Sequence, residues 1–93
     1  MKNTETLTLI NGNFTNDEAK EILMNMFSSK INFHTVKNWS SQERYGQDDE
    51  IAQKKIPALR DEIKKLELIL AEAKVKSKKI VLSSEINISI LED

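Results

Sequence analysis

The sequence has no cysteine and a single histidine among its 93 residues. The missing cysteines exclude a disulfide framework, a thiol nucleophile and a cysteine-ligated zinc site. With only His34 to supply an imidazole, a zinc site would have to rely mainly on carboxylates, which is unusual for that metal. We therefore expect no metal ion or other cofactor.

Glycine is equally scarce, because Gly12 and Gly46 are the only two. A phosphate-binding loop needs several glycines close together, so the chain has no such loop, and it has no nucleophile elbow either. The sequence contains no catalytic motif. We therefore expect that the protein is not an enzyme.

Long apolar runs and an excess of one charge are also missing. No apolar run approaches the length of about 18 residues that a membrane span needs. The first residues lack the basic and apolar segments of a secretory signal, so we expect a cytoplasmic protein with no membrane partner. The net charge of −1 predicts no bulk attraction to nucleic acid.

The composition is that of one small folded domain over residues 1–93. Hydrophobic residues make up 39% of the chain and charged residues 31%, which is too apolar for a disordered segment. Lysine, isoleucine and asparagine are abundant. Such usage is typical of AT-rich coding DNA and indicates a bacterial or phage source.

Two segments have the period of two that is typical of strands. Residues 5–10 alternate Leu7 and Leu9 with threonines and predict a short strand, which the turn signal "NGN" follows. The clearer alternation lies over residues 80–91 and predicts a longer C-terminal strand. Its isoleucines share one side, so that side is expected to be apolar.

A first helix is predicted over residues 16–34. Thr15 and Glu18 have the spacing of a capping box, and apolar residues follow at intervals of three and four. We expect this helix to fray or bend between residues 29 and 38. A second capping box, "SSQE", then predicts a short helical turn over residues 41–46.

A long second helix is predicted over residues 49–77. Its apolar residues alternate spacings of four and three in a heptad-like seam. The seam consists of Ala52, Ile56, Leu59, Ile63, Leu66, Leu70 and Ala73. Pro57 lies inside this pattern and either kinks the helix or marks its true beginning.

The order strand, helix, helix, strand predicts an α+β fold, a small β-α-α-β domain. In it a helical hairpin packs on a short antiparallel sheet. The second strand is predicted to be longer than the first, so its unpaired part would be an exposed edge. We therefore expect a homodimer formed by a continuous sheet, by helix packing or by both, with Ile86, Ile88 and Ile90 as the candidate dimer strand. The alternative is a monomer in which Ser83 and Ser84 fold the strand into a hairpin.

The rarest side chains gather between the two predicted helices. Together with two cations they form the candidate ligand or partner contacts His34, Lys37, Trp39, Arg44 and Tyr45. The favoured interpretation is structural, because large aromatic rings fill corners between helices. The alternative is a site for a small anionic, nucleotide-like ligand, in which Arg44 binds the anion.

A basic segment closes the second helix, and its candidate phosphate contacts are Lys74, Lys76, Lys78 and Lys79. The helix dipole alone favours such a position, so nucleic acid is a less favoured partner. We expect a small, non-enzymatic homodimeric binding protein. It would act as an adaptor, inhibitor or regulator of a larger protein partner. A ligand-binding protein and a nucleic-acid-binding regulator are the alternatives.

Overall fold

The computed structural model describes residues 4–91, and residues 1–3 and 92–93 of the predicted domain lie outside them. The elements are β1 (Thr4–Phe14), α1 (Asn16–Tyr45), α2 (Glu50–Val75) and β2 (Ile80–Ser89). The two strands form one antiparallel sheet, and the two helices form a hairpin between them. The predicted α+β class and the β-α-α-β order are confirmed.

The two strands pair along nearly their whole lengths, from Thr4 opposite Ser89 to Phe14 opposite Ile80. The predicted turn at residues 11–13 is wrong, because this segment pairs with residues 81–83 and its backbone groups take part in the sheet. The two strands therefore have nearly equal lengths. Every residue of β2 from Ile80 to Ser89 has a partner in β1, so within residues 4–91 this strand lacks the unpaired stretch that motivated strand pairing between two copies.

β2 is one continuous strand. Ser83 and Ser84 pair with Asn11 and Ile10, so β2 does not fold back on itself there. The strand ends at Ser89, short of the predicted residue 91.

The irregularity in the sheet lies in β1, between Thr8 and Ile10. A bulge inserts one extra residue, so the side-chain alternation changes sides at that point. Leu7 therefore lies opposite Ile86 while Ile10 lies opposite Ser84, and both β1 residues share one face of the sheet. Because of the extra residue, the odd-numbered Leu7 and the even-numbered Ile10 lie on the same face of the sheet.

α1 is a single helix of 30 residues, so the predicted bend and the second capping box are wrong. It begins at the predicted capping box, where the Glu18 amide donates to the Thr15 hydroxyl at 3.2 Å and the Thr15 amide donates to Glu18 at 2.9 Å. It ends at Tyr45, and the following Gly46 caps it with the positive φ of 67° that glycine tolerates. Residues 31–36 remain helical although several of them favour strands, and within this stretch His34 is buried and Ile31 half-buried.

α2 begins after Asp49, whose carboxylate accepts a hydrogen bond from the Ala52 amide at 2.9 Å. Pro57 lies inside the helix and does not begin it. The helix ends at Val75, two residues before the predicted end, because Lys76 and Ser77 form a turn.

The core is small and lies where the helices meet the base of the sheet. Its buried residues are Ala19, Leu66 and Leu70. Half-buried side chains from the strands and from α1 surround them, namely Phe14, Leu23, Met24, Phe27, Ile80 and Leu82. Only the end of the sheet nearest the helices contributes to this cluster.

The molecule is flat, with principal extents of 50, 37 and 15 Å. Its radius of gyration is 17.0 Å, whereas a compact chain of this length has about 12 Å. Its accessible surface is 7785 Å², whereas a compact protein of this mass exposes about 5,500 Å². The chain therefore forms one layer of structure and leaves much apolar surface uncovered.

The capping box makes the stability of α1 dependent on pH. The pKa of Glu18 lies below its usual range because the Thr15 backbone and hydroxyl donate to the carboxylate, with a smaller contribution from the Lys79 charge. A carboxyl group whose pKa is lower in the folded state than in the unfolded state stabilises the fold at pH values above its unfolded-state pKa. This stabilisation is lost as the pH falls through the folded-state pKa.

Glu18→Gln should therefore be less stable than the wild type at neutral pH. The difference should shrink in acid, because protonated glutamate and glutamine are both uncharged. Urea unfolding at several pH values measures this difference. The control Glu21→Gln removes a charge outside the cap and should leave the stability at neutral pH nearly unchanged. A constant difference at all pH values for Glu18→Gln would contradict the prediction.

Candidate functional site

The unbroken helix α1 separates the residues of the predicted corner. Successive residues of a helix point about 100° apart, so residues 34–45 point in all directions around the axis. His34 is buried, with 5% of its surface exposed, whereas Trp39 is 62% and Tyr45 70% exposed. The two largest aromatic side chains therefore do not fill a corner between the helices.

His34 lies on the side of α1 that faces α2. The edge of its ring meets the Phe33 ring, with centroids 5.3 Å apart and planes at 77°. Among residues 4–91, neither ring nitrogen of His34 has a hydrogen-bond partner. A buried polar group without a partner lowers stability, so the histidine acts as a space-filling residue between the helices.

Three of the five predicted contact residues line one shallow groove near the end of α1. Lys37, Arg44 and Tyr45 lie around an open volume of 310 Å³. The other lining residues are Val36, Ser40, Ser41 and Asp49. His34 and Trp39 are not among them. The two cations can contact a small anion here, but the Asp49 carboxylate opposes them and the groove does not enclose a ligand.

The turn between the helices is held by amide side chains that the sequence analysis missed. The Asn38 side-chain oxygen accepts a hydrogen bond from the Asp49 amide at 2.7 Å, and the Gln42 side chain donates to Asp48 at 2.6 Å. Asn38 also lies within 3.4 Å of the Gln53 amide group. The available signal was the spacing of Asn38 and Gln42, one helical turn apart and close to two aspartates.

The basic segment lies among carboxylates. Lys76 forms an ion pair with Glu72 at 2.8 Å, and Lys79 lies close enough to Glu18 to lower its pKa. Lys74 lines a groove that also contains Asp17 and Glu67. Lys78 donates its backbone amide to the Ala73 carbonyl and so closes the helix end. These acidic neighbours weaken the attraction of the segment for phosphates.

The sheet has one polar and one apolar face. On the polar face, threonines pair with polar residues of β2; Thr6, for example, donates to Asn87 at 2.9 Å. On the other face, Ile86 lies opposite Leu7, and Ile88 lies opposite Glu5. We call Leu7, Ile86 and Ile88 the ribbon patch. Its three members are between 40% and 51% exposed.

The ribbon patch lies in the half of the sheet that the helices do not cover. Among the described strand residues, the ones that contact the core lie at the other end of the sheet and are Phe14, Ile80 and Leu82. Of the candidate dimer strand, Ile86 and Ile88 belong to the patch. Ile90 lies beyond the end of β2 and is 67% exposed. The patch is therefore an apolar surface without a partner in the described part of the chain.

The chain matches no protein-family model, no curated protein and no solved structure. Within residues 4–91, neither helix has the length and apolar character needed to cross a membrane. In the same residues, no three histidine or acidic side chains are grouped closely enough to hold a metal ion.

The interpretation of His34 as a space-filling residue predicts opposite effects for two substitutions. His34→Leu should raise the free energy of unfolding by about 1 kcal/mol, because it removes two desolvated nitrogens and keeps the volume. His34→Ala should lower it by about 1–3 kcal/mol, because it leaves a cavity. Chemical denaturation measures both values. An equal loss of stability in the two variants would show that the nitrogens make a contact that matters.

Proposed function

We propose that this chain is a small, non-enzymatic homodimeric binding protein that acts as an adaptor, inhibitor or regulator of a larger protein partner. The observation that carries the proposal is the flat, single-layer architecture. Stable domains consist of two or more packed layers around one core. A layer 15 Å thick has no second layer to cover its apolar side chains.

The size of the uncovered surface supports association with another protein. The chain exposes about 2,300 Å² more than a compact protein of its mass. A standard protein–protein interface needs about 800 Å² from each partner. The excess is therefore sufficient for one self-association interface and a second interface with a different protein.

The ribbon patch supports the second of these interfaces. A two-stranded sheet is marginally stable in water by itself, and an apolar face such as Leu7 with Ile86 gains stability when another surface covers it. Both outer edges of the sheet also carry unpaired backbone groups in the described residues. A partner that adds a strand or an apolar face there would satisfy both requirements.

If the protein is a homodimer, its mass in solution should be twice the 10.7 kDa of one chain. Sedimentation velocity over a range of micromolar concentrations measures this mass. The temperature of thermal unfolding should rise with protein concentration, because association stabilises only the folded chain. A mass of 10.7 kDa at every concentration would refute the homodimer.

The role of the ribbon patch in partner binding is tested with two matched substitutions. Ile88→Thr and Val81→Thr both exchange a β-branched apolar residue for threonine, but Ile88 lies on the apolar face and Val81 on the polar face. A protein retained from a cell extract by the wild type should also be retained by Val81→Thr and be lost with Ile88→Thr. Equal retention by both variants would show that the patch does not bind the partner.

A further inference from the structure

α1 carries a second line of side chains that does not face α2. It consists of Ile22, Met26, Ser29, Phe33, Val36 and Ser40, which we call the outer stripe. Its spacings alternate four and three, as in a helix–helix seam, and it extends for about 27 Å along the helix. The outer stripe lies about 140° around α1 from the side chains that face α2.

The central part of the outer stripe, residues 26–36, is exposed although its larger members are apolar, whereas Ile22 and Ser40 at its ends are half-buried. Phe33 and Val36 are 52% and 53% exposed, and Met26 is 37% exposed. A helix whose second apolar stripe faces water is unusual, because an apolar stripe normally packs against a neighbour. α2 also exposes apolar side chains, but its exposed residues Ile51, Leu68, Ile69 and Val75 do not form a row with alternating spacings of four and three.

A shallow, open groove on the outer stripe has lining residues at the spacing that receives a side chain from another helix. Met26, Ser29, Lys30 and Phe33 line it together with Asn25, and its volume is 530 Å³. The first four are spaced i, i+3, i+4 and i+7, which is the set that surrounds an inserted side chain in knobs-into-holes packing. The small Ser29 side chain leaves room between two large ones.

The outer stripe is also complementary to itself when it is reversed. In an antiparallel pair of α1 helices with the two-fold axis level with Ile31, Ser29 of each copy faces Phe33 of the other. In the same arrangement, Met26 faces Val36 and Ile22 faces Ser40. Each larger side chain thus meets a smaller one, and each contact occurs twice, as in an isologous interface.

We infer that two copies of this chain associate through an antiparallel contact between their α1 helices, in which Phe33 of each copy enters the groove above Ser29 of the other. This inference deepens the proposed homodimer by naming its interface, and it rests on that proposal. The second copy would provide the missing layer beside the helices. The ribbon patch would remain available to the larger partner.

Exchanging the large and the small residue tests this contact. Ser29→Phe should fill the groove, and Phe33→Ser should remove the inserted ring, so each variant should weaken dimerisation about tenfold or more. The double variant Ser29→Phe/Phe33→Ser places the ring on the other side of the same pair and should restore most of the dimer. Sedimentation equilibrium measures the dissociation constants, and circular dichroism checks that each variant is folded.

Two controls separate this inference from the proposed function. Ser28→Phe adds the same ring one residue away, off the outer stripe, and should leave the dimer unchanged. Ile88→Thr should also leave the dimer unchanged. If the wild type is a dimer but the two single variants dimerise as well as it does, the α1 interface is refuted and the homodimer stands. If the wild type is a monomer, the α1 interface and the proposed homodimer are both refuted, and the outer stripe must have another occupant.

Discussion

The fold depends on one contact, the packing of Ala19 on α1 against Leu66 and Leu70 on α2. Ala19 is completely buried, and its small side chain lets the two helices approach closely at the end where the strands join them. Phe14, immediately before the α1 cap, and Ile80, at the start of β2, pack on the same cluster. In the described residues 4–91, the helical hairpin and the sheet are therefore held together at one place.

A core confined to one end explains the shape of the molecule. Beyond the cluster, the helices stabilise each other through His34, Ala52 and the amide contacts at the turn, and the strands stabilise each other through their hydrogen bonds. The two helices do not cover the two strands along their length, and the strands do not cover the helices. The apolar side chains of the distal sheet and of the outer stripe therefore remain exposed, and their burial is the main driving force available for association.

The elements themselves were largely predictable, but the candidate site was not. The capping box at Thr15, the C-terminal strand and the seam of α2 follow from local patterns. The predicted grouping of residues 34–45 did not follow from a local pattern, because it assumed that the chain turns there. Once α1 continues through these residues, helical geometry alone separates His34, which is buried, from Trp39, which is exposed.

The sequence by itself determined the order and the type of the elements, because capping residues and apolar periods act over a few neighbouring residues. Only the tertiary structure decided that β1 continues through Gly12 and that a bulge puts Leu7 and Ile10 on one face. It also decided which apolar residues of α1 face α2 and which face outward. The strand pairs join residues at least 66 positions apart, and Ala19 packs on residues of α2 more than forty positions away, so no local pattern contains these outcomes.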